Sequence, residues 1–233
     1  MKITSTHNSM YTIIVSILMV LSIFVNFGDA ENTSFWPANC EEVLENNPNA
    51  FDGEHTLYIN NDPQQAWSAY CQDMQGTPKE YLTLQNTCEG QNYSLYAAGG
   101  ARQGSDVVTK FIKVRIDPET LEIINEDKSF AVSSGKVVWP SGSITSRKYG
   151  SAGDCVGIDS NLGSANIDLR GTPFKIKRSG GEQFLVSGYM AAGDIMYLHD
   201  DQVVNLTGGG YCGVNQAGTW PDPQNIKLEY IAP

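Results

Sequence analysis

Tyr70-Cys71-Gln72-Asp73-Met74, followed by Gly76 to Leu82, is the most informative stretch of this chain. It sets a cysteine among aromatic and apolar residues in the pattern of a β-strand. A second block of this kind, Gly208-Gly209-Gly210-Tyr211-Cys212-Gly213, lies near the end of the sequence. Both blocks follow an N-terminal segment with the features of an export signal. Because exported chains fold in an oxidising compartment, the pattern predicts a secreted, extracellular, disulfide-linked and β-rich protein.

Residues 1–30 show the order of a cleavable signal peptide. A weakly basic start at Lys2 precedes an apolar run from Tyr11 to Phe27, and small residues follow at Gly28 and Ala30. We expect cleavage after Ala30, which leaves a single domain over residues 31–233. The alternative is a retained membrane anchor, although the run is shorter than the roughly 20 apolar residues of a spanning helix. No later stretch of the sequence is as long and as apolar.

The chain is acidic, with a formal net charge of −11 over 233 residues. This charge repels nucleic acid and anionic lipid, and therefore argues against both as partners. The closest candidate for a basic patch is Lys175-Ile176-Lys177-Arg178, beside a Ser-Gly-Gly turn. We interpret it as a solvated strand end.

The chain has five cysteines, which indicate a disulfide framework with one cysteine left over. Their spacing does not decide the connectivity. An economical scheme pairs Cys40 with Cys71 and Cys155 with Cys212, because each pair lies within one half of the chain. Cys88 is then unpaired or forms an intermolecular bond. The sequence has no C-x2-C pair, which argues against a zinc site.

Hydrophobic periodicity predicts many short strands separated by glycine-rich turns. The fold class is therefore mainly β with minor helix, a disulfide-stapled single domain of many short antiparallel strands. Residues 111–116 and 121–124 form a predicted hairpin around the turn 117–120, and residues 40–45 form a predicted helix of about two turns. The other predicted strands are 56–59, 67–71, 81–84, 130–132, 136–139, 144–147, 166–169, 174–177, 183–186, 195–198, 203–206 and 226–230.

Three N-x-S/T sequons begin at Asn32, Asn92 and Asn205. In a secretory pathway they are candidate glycosylation sites. Asn32 and Asn92 are the plausible acceptors. We expect Asn205 to be less accessible, because it lies inside a predicted strand next to a glycine run.

The sequence predicts no catalytic residue. A zinc protease requires an H-E-x-x-H motif, and the predicted mature chain has only His55 and His199, neither of which lies in one. A serine hydrolase would present its nucleophile in G-x-S-x-G, which is also absent. His199-Asp200-Asp201 is interpreted as an exposed hairpin tip and His55 as part of a sheet edge. A nucleophilic pair of Cys88 with a histidine stays open, since one sequence does not show proximity.

Calcium is the metal that the composition favours most, because hard oxygen ligands lie near Asp154 and Asp159. Asp168 and Asp200-Asp201 add to these oxygen ligands, but none of the aspartates forms a D-x-D-x-D-G loop. Solvated turns are the leading interpretation, and no metal site is assigned.

Tryptophans are the remaining candidates for ligand contact. Trp36, Trp139 and Trp220 each precede a proline, whereas Trp67 lies at the start of a predicted strand. We take Trp67, Trp139 and Trp220 as possible ligand contacts, against the alternative that they cover the core of the sheet.

Six blocks, in order along residues 40–231, resemble the GON domain. They are Asp52 to Ile59, Tyr70 to Leu84, Lys113 to Leu121, Tyr149-Gly150 with Asp154-Cys155, Asn166 to Phe174, and Val203 to Gly213. The resemblance implies an extracellular accessory module without an established active site. In its family this module is the C-terminal part of some secreted zinc metalloproteases with thrombospondin repeats. A metallopeptidase or zinc association would therefore describe the catalytic domain of those longer relatives.

A weaker resemblance to fibrinogen-like domains covers the first third of the chain. It consists of Cys40, then Asp52-Gly53, and then the stretch from Tyr70 to Met74. In that family the two equivalent cysteines pair, which supports a Cys40–Cys71 bond. The resemblance ends after Leu84, so no calcium or acetyl-group site is carried over.

Three functional hypotheses follow. The leading one is a secreted, non-catalytic binding module for an extracellular matrix protein or glycan. The second is an accessory part of a zinc metalloendopeptidase system that acts on a partner protease. The third is a hydrolase with an unrecognised site, which the missing motifs disfavour.

Overall fold

The computed structural model describes residues 35–231 of the chain. Residues from Trp36 onward belong to one unit. The predicted signal peptide (residues 1–30), its cleavage position after Ala30 and the sequon at Asn32 lie outside the described residues. Between residues 35 and 231, no helix is long and apolar enough to cross a membrane.

One α-helix, α1 (Cys40–Asn46), opens the fold. Asn39 caps it, because the Asn39 Oδ1 accepts a hydrogen bond from the Glu42 amide at 2.8 Å. Glu41 and Glu42 lie in the first turn, where negative charge complements the helix dipole. The two-turn helix predicted over residues 40–45 is therefore present and one residue longer.

The other regular elements of the described part are eighteen strands and one 3₁₀ turn, Ile59–Asn61. The strands are β1 (Gly53–Tyr58), β2 (Ala66–Gln72), β3 (Lys79–Thr83), β4 (Tyr93–Tyr96), β5 (Gln103–Phe111), β6 (Lys113–Asp117), β7 (Glu122–Ile123), β8 (Ala131–Trp139), β9 (Gly142–Ile144), β10 (Ser151–Gly153), β11 (Gly163–Asp168), β12 (Phe174–Ile176), β13 (Phe184–Ser187), β14 (Ala191–Ala192), β15 (Ile195–Leu198), β16 (Val203–Gly210), β17 (Val214–Ala217) and β18 (Ile226–Tyr230).

The first sheet has seven antiparallel strands in the order β1-β2-β3-β6-β7-β18-β12. The stretch from Tyr70 to Leu82 lies in the β2–β3 hairpin of this sheet, in which Cys71 pairs with Glu80. Asp73 turns the chain with a φ of 61°, and the Gly76 amide donates to the Asp73 carbonyl at 2.9 Å. Met74 of the same turn is buried, so the turn itself contributes to the core.

The second sheet has eleven strands. Its central order is β13-β17-β10-β4-β11-β16-β14, β15 also pairs with β16, and β5 connects β4 to β8 and then β9. All pairs are antiparallel except β10 with β4, which meet in parallel at Gly153 and Tyr96. The chain passes between the sheets at Ile112, whose amide bonds to Phe130 and whose carbonyl bonds to Leu84.

Both sheets contribute to one hydrophobic core. Trp67, Ile116 and Leu228 come from the seven-stranded sheet, and Ile167 and Phe184 come from the eleven-stranded sheet. Such shared burial is the main favourable contribution to folding, at about 25 cal/mol per Å² of apolar surface. The sheets therefore stabilise each other rather than folding as separate units.

A polar cluster, defined here as the buried residues Asn92, Tyr149 and Asp168 with the partly exposed Arg170, links three segments of the second sheet. Asn92 is 0% exposed, and its Oδ1 accepts from the Tyr149 hydroxyl and from the Asp168 amide. Its Nδ2 donates to the carbonyls of Asn86 at 2.7 Å and Asp168 at 2.9 Å. Every polar atom of the Asn92 side chain is thus used inside the fold.

The charges in this cluster follow from its burial. Burial raises the pKa of the Tyr149 hydroxyl, so it stays protonated and donates its hydrogen to Asn92. Burial alone would also raise the pKa of Asp168, but the hydrogen bonds and charge of Arg170 outweigh it and hold that pKa below its usual value. Asp168 is therefore a carboxylate paired with Arg170.

Two disulfides cross-link the chain. Cys40 joins Cys71, which ties helix α1 to strand β2, and the Cys40 amide also donates to the Glu80 carboxylate at 2.8 Å. Cys155 joins Cys212, which ties the segment after β10 to the one after β16. These are the pairs of the economical scheme. Cys88 is exposed and unpaired among the described residues.

The predicted fold class, mainly β with minor helix, is confirmed. Several strand predictions differ from the structure. Residues 131–132 and 136–139 belong to one strand, β8, because it pairs with β5 along most of its length. The strand predicted over residues 144–147 is wrong beyond Ile144, where β9 ends. Residues 111–116 are split at Ile112, where the chain changes sheets. The predicted hairpin is present, with Ile116 opposite Ile123.

Candidate functional site

A small surface pocket is the best candidate for a functional site. Its volume is about 270 Å³. We define the basic–aromatic pocket by the six residues that give it its character, which are Glu126, Lys128, Arg147, Lys148, Trp220 and Pro221. Ser146, Gln216 and Pro223 complete the lining.

Three loops build this pocket, and hydrogen bonds hold them together. The loop after β7 contacts the segment after β9, because the Tyr149 amide donates to the Asn125 carbonyl at 2.9 Å. The loop after β17 is held by the Asn125 side chain, which donates to the Gln224 carbonyl at 2.8 Å. The Trp220 amide donates to Ser187 Oγ at 2.9 Å. The pocket is thus preformed by the fold.

The pocket has more positive than negative side chains. Lys128 and Lys148 both approach the single carboxylate of Glu126, at 3.6 Å and 3.7 Å. Among the described residues, no carboxylate lies within ion-pair distance of Arg147. The pocket therefore has three cations and one anion, in a chain whose net charge is −11.

Arg147 is held rigidly. Its amide donates to Thr109 Oγ1 at 2.7 Å, its Nη2 donates to Ser151 Oγ, and its Cζ lies 5.2 Å from the Tyr96 ring centroid. Its Nε is buried and has no hydrogen-bond partner in the described structure. Burial lowers the pKa of Arg147 to about 10, so the group is still charged at neutral pH.

Lys148 is also partly desolvated, with 8% of its surface exposed. Burial lowers the pKa of its ammonium group to about 8, and the charge of Glu126 offsets part of this effect. At neutral pH the pocket thus holds a buried ammonium group that shares its only carboxylate with Lys128. This arrangement is unfavourable in the free protein.

We expect Lys148→Met to raise the free energy of unfolding at pH 7 by about 1–2 kcal/mol, because it removes a poorly paired buried charge. The folded pKa of Lys148 lies below the ordinary lysine value, so the unfolded chain binds more protons between about pH 8 and 10. Stability should therefore rise with pH in that window for the native chain and rise less for the variant. Urea titrations at pH 7 and 9.5 measure both effects.

Lys136→Met is the matched control, since Lys136 is exposed on β8 and the charge change is the same. We expect its stability to stay within about 0.5 kcal/mol of the native value. Equal effects of the two substitutions would contradict the burial argument for Lys148.

Trp220 is the aromatic residue of this site, and it was among the predicted ligand contacts. It is 64% exposed and directly precedes Pro221. A large apolar ring that stays in solvent beside charged groups is typical of a recognition surface. Trp220 is therefore available to a ligand.

The other two predicted tryptophans lie elsewhere. Trp67 is 3% exposed and packs edge-on against Phe174 at 5.4 Å, so its ring belongs to the core and does not face solvent. Trp139 is half-buried at the end of β8, with the Arg102 guanidinium 4.0 Å from its ring centroid. Trp36, which was not taken as a contact, lies against Tyr58.

One of the three sequons, at Asn92, differs from its prediction. A glycan on Asn92 is incompatible with the folded chain, because the nitrogen that would carry it is buried and bonded to two carbonyls. Asn205 is half-buried in β16 and accepts a hydrogen bond from Asn166 at 2.7 Å. The third sequon, at Asn32, lies outside the described residues.

One of the two calcium candidates, Asp154, already binds donors of the protein. Asp154 is buried, and its carboxylate accepts from the amides of Val156, Leu162 and Gly210 and from the Ser160 hydroxyl. Asp159 lies in the same loop. From residue 35 to 231, no three His, Cys, Asp or Glu side chains converge as a metal site would require. The oxygens of Asp154 are thus already used by donors of the protein, and calcium binding stays a prediction.

The histidines and Cys88 lie on separate elements. His55 is on strand β1 at the edge of its sheet, with Nε2 2.9 Å from the Phe51 carbonyl oxygen. His199 lies in the turn between β15 and β16, where residues 199–201 all have positive φ. Cys88 lies in the loop between β3 and β4.

A second cavity, also of about 270 Å³, lies at the loop 179–183 beside Leu185 and Lys227. It has no aromatic side chain in its lining, and glycine and amide groups predominate there. Its positive and negative side chains do not include a buried cation like Lys148. It is therefore the weaker candidate.

Two of the three cations in the basic run at residues 175–178 are paired with neighbouring carboxylates. Lys175 pairs with Asp200 and Glu229, and Arg178 pairs with Asp201 and Glu182. The sequence does not mark Lys128, Arg147 and Lys148 as a group, because two separate loops bring those three cations together. Only Arg147 and Lys148 are neighbours in the sequence, so this pair alone could have indicated a basic site.

One protein-family profile matches most of the chain. The GON domain profile matches residues 37–103 and 100–220. The chain belongs to the GON domain family. No curated protein and no solved structure matches it. GON domains are non-catalytic modules, and a GON domain with two disulfides has the character of an extracellular domain.

The matched range contains most of the basic–aromatic pocket. Glu126, Lys128, Arg147, Lys148 and Trp220 lie between residues 100 and 220, and only the two prolines of the lining follow it. The pocket is therefore built mainly from the GON domain itself.

Proposed function

We propose that this chain is a secreted, non-catalytic recognition module that binds an extracellular matrix glycan at the basic–aromatic pocket. One observation carries the proposal, which is the exposed ring of Trp220 beside three cations on loops that the fold holds in place. Sugars present apolar C–H faces and polar edges. An exposed indole next to charged donors complements both.

The preformed geometry supports binding without large rearrangement. Hydrogen bonds from Asn125 and Tyr149 fix two of the three loops, and Ser187 fixes the Trp220 backbone. A ligand therefore orders few groups when it binds, which preserves affinity. The pocket volume of about 270 Å³ suits one sugar ring rather than a large compact ligand.

We expect Trp220→Ala to lower the affinity for the bound glycan at least about tenfold, or 1.4 kcal/mol, because it removes the stacking surface. The measurement is a glycan array followed by calorimetric titration of the best oligosaccharide, with purified disulfide-bonded protein. Tyr189→Ala is the control, since Tyr189 is equally exposed but is not part of the pocket lining. Equal affinity of the native chain and Trp220→Ala would contradict the proposed site.

A second function, as an accessory to a secreted metalloprotease, rests on a different surface. Tyr189 and Tyr211 are exposed and meet edge to face at 5.8 Å, next to exposed Met190 and to Cys212 of the second disulfide. Exposed tyrosines on a rigid frame are typical of protein-binding surfaces. Titration with a purified secreted metalloprotease that has thrombospondin repeats tests this function. Binding that Tyr189→Ala abolishes and Trp220→Ala preserves would favour it.

Secretion itself is part of the proposal. The order of residues 1–30 and the two disulfides support it. Mass spectrometry of the unreduced chain from culture medium would show whether cleavage follows Ala30 and whether Asn32 carries a glycan.

A further inference from the structure

We infer that the basic–aromatic pocket holds an anionic substituent, a sulfate or a carboxylate, of the glycan bound against Trp220. The inference rests on the proposed function and adds the chemical class of the ligand. Its physical basis is a charge imbalance in a confined space, with three cations facing one carboxylate.

The imbalance is centred on Arg147 and Lys148. Glu126 is shared by two lysines, and Arg147 has no anionic partner within the described residues. A buried cation without a full counter-charge destabilises the protein, so an arrangement of this kind is typical of a ligand site. The lowered pKa values of both groups have burial as their largest cause, which agrees with this geometry.

The donor chemistry suits an oxyanion. A guanidinium presents several N–H donors in one plane, matching the oxygens of a sulfate or carboxylate, and an ammonium adds a compact charge. Arg147 is already positioned by its hydrogen bonds to Thr109 and Ser151. The pocket thus offers fixed positive charge that an anion can use without rearranging the backbone.

The location restricts which anion can enter. The rest of the chain is strongly acidic, so long polyanions such as nucleic acid meet repulsion beyond the pocket. A single charged group on a sugar ring instead places its charge near Arg147 and Lys148 and its ring near Trp220. This favours an acidic monosaccharide unit over a free polyanion.

Calorimetric titration of the purified, disulfide-bonded chain tests the inference. The probes are a sulfated hexose, the same hexose without sulfate, inorganic sulfate at constant ionic strength, and single-stranded DNA. We expect the sulfated hexose to bind at least about tenfold more tightly than its parent sugar, and inorganic sulfate to compete with it.

Three variants test which cations bind the anionic group. We expect Lys148→Met and Arg147→Gln each to weaken binding of the sulfated hexose about tenfold, and Lys136→Met to change it less than about twofold. Lys148→Met is the decisive variant, because we expect it to fold at least as stably as the native chain. Its melting temperature, measured in the same buffer, separates loss of binding from loss of structure.

Each outcome has a distinct meaning. Equal affinity for the sulfated and unsulfated sugar, with dependence on Trp220, overturns the anion inference and leaves glycan binding intact. Binding of inorganic sulfate that depends on Lys148, without binding of any glycan, supports the anion site and overturns the proposed function. DNA binding as tight as that of the sulfated sugar, or no binding of any probe, overturns the inference.

Discussion

Asn92→Ala is expected to lower the free energy of unfolding by about 4 kcal/mol or more, which would leave little folded protein at 37 °C. The substitution strands four buried groups at once. They are the Tyr149 hydroxyl, the Asp168 amide, and the carbonyls of Asn86 and Asp168. Each unsatisfied buried group costs about 1–3 kcal/mol, less what water can recover in the cavity. Chemical denaturation followed by circular dichroism measures the change.

Ser94→Ala is the matched control, because it removes the same sequon and keeps Asn92. Ser94 is buried and its Oγ accepts one hydrogen bond, from the Ser151 amide at 3.2 Å. We expect its cost to be about 1 kcal/mol. Equal losses from the two substitutions would mean that the Asn92 side chain contributes no more to folding than a single hydrogen bond.

The second large effect concerns the disulfide between Cys155 and Cys212. We expect Cys155→Ser with Cys212→Ser to lower the free energy of unfolding by about 4 kcal/mol, since the bond closes a loop spanning 57 residues. Without the bond, the unfolded chain gains conformational freedom. The two loops that meet at the buried Asp154 carboxylate also lose their covalent link. Thermal and denaturant unfolding of the oxidised protein measure the change.

Cys88→Ser is the corresponding control. Cys88 is exposed and unpaired, so its substitution should change stability by less than about 0.5 kcal/mol. The same variant prevents thiol exchange during the measurement. A large loss of stability in Cys88→Ser, or none in the double variant, would contradict the connectivity.

Much of the fold could be predicted because apolar and polar residues alternate within many of its strands. The hairpin of β6 and β7 follows from the apolar–polar alternation before Asp117-Pro118, and helix α1 follows from its Asn39 cap and the prolines on both sides. Strands β4, β10, β14 and β17 were not predicted. All residues of β10 and β17 are buried, and they include Ser, Asn and Gln, so neither alternation nor hydrophobicity marks these two strands.

The candidate site could be predicted only in part. Trp220 stood out because an aromatic residue before proline is typical of a surface turn. The cations around Trp220 could not be predicted from the sequence. Lys128 and Arg147 come together only when the hydrogen bond between Tyr149 and Asn125 joins their two loops. Likewise Asn92 looked like a glycan acceptor in the sequence, and tertiary contacts with β11 place it in the interior instead. Contacts between segments distant in the chain decide both cases.

The position of β18 has a consequence for how this protein is made in the cell. It is the last strand along the chain, yet it lies between β7 and β12 in the first sheet. The first sheet is therefore continuous only after the chain has been synthesised as far as Tyr230. Until then, β7 and β12 have unpaired strand edges. A chain that stops before Ile226 would keep all five cysteines, and we expect it to leave the strand edges of β7 and β12 unpaired.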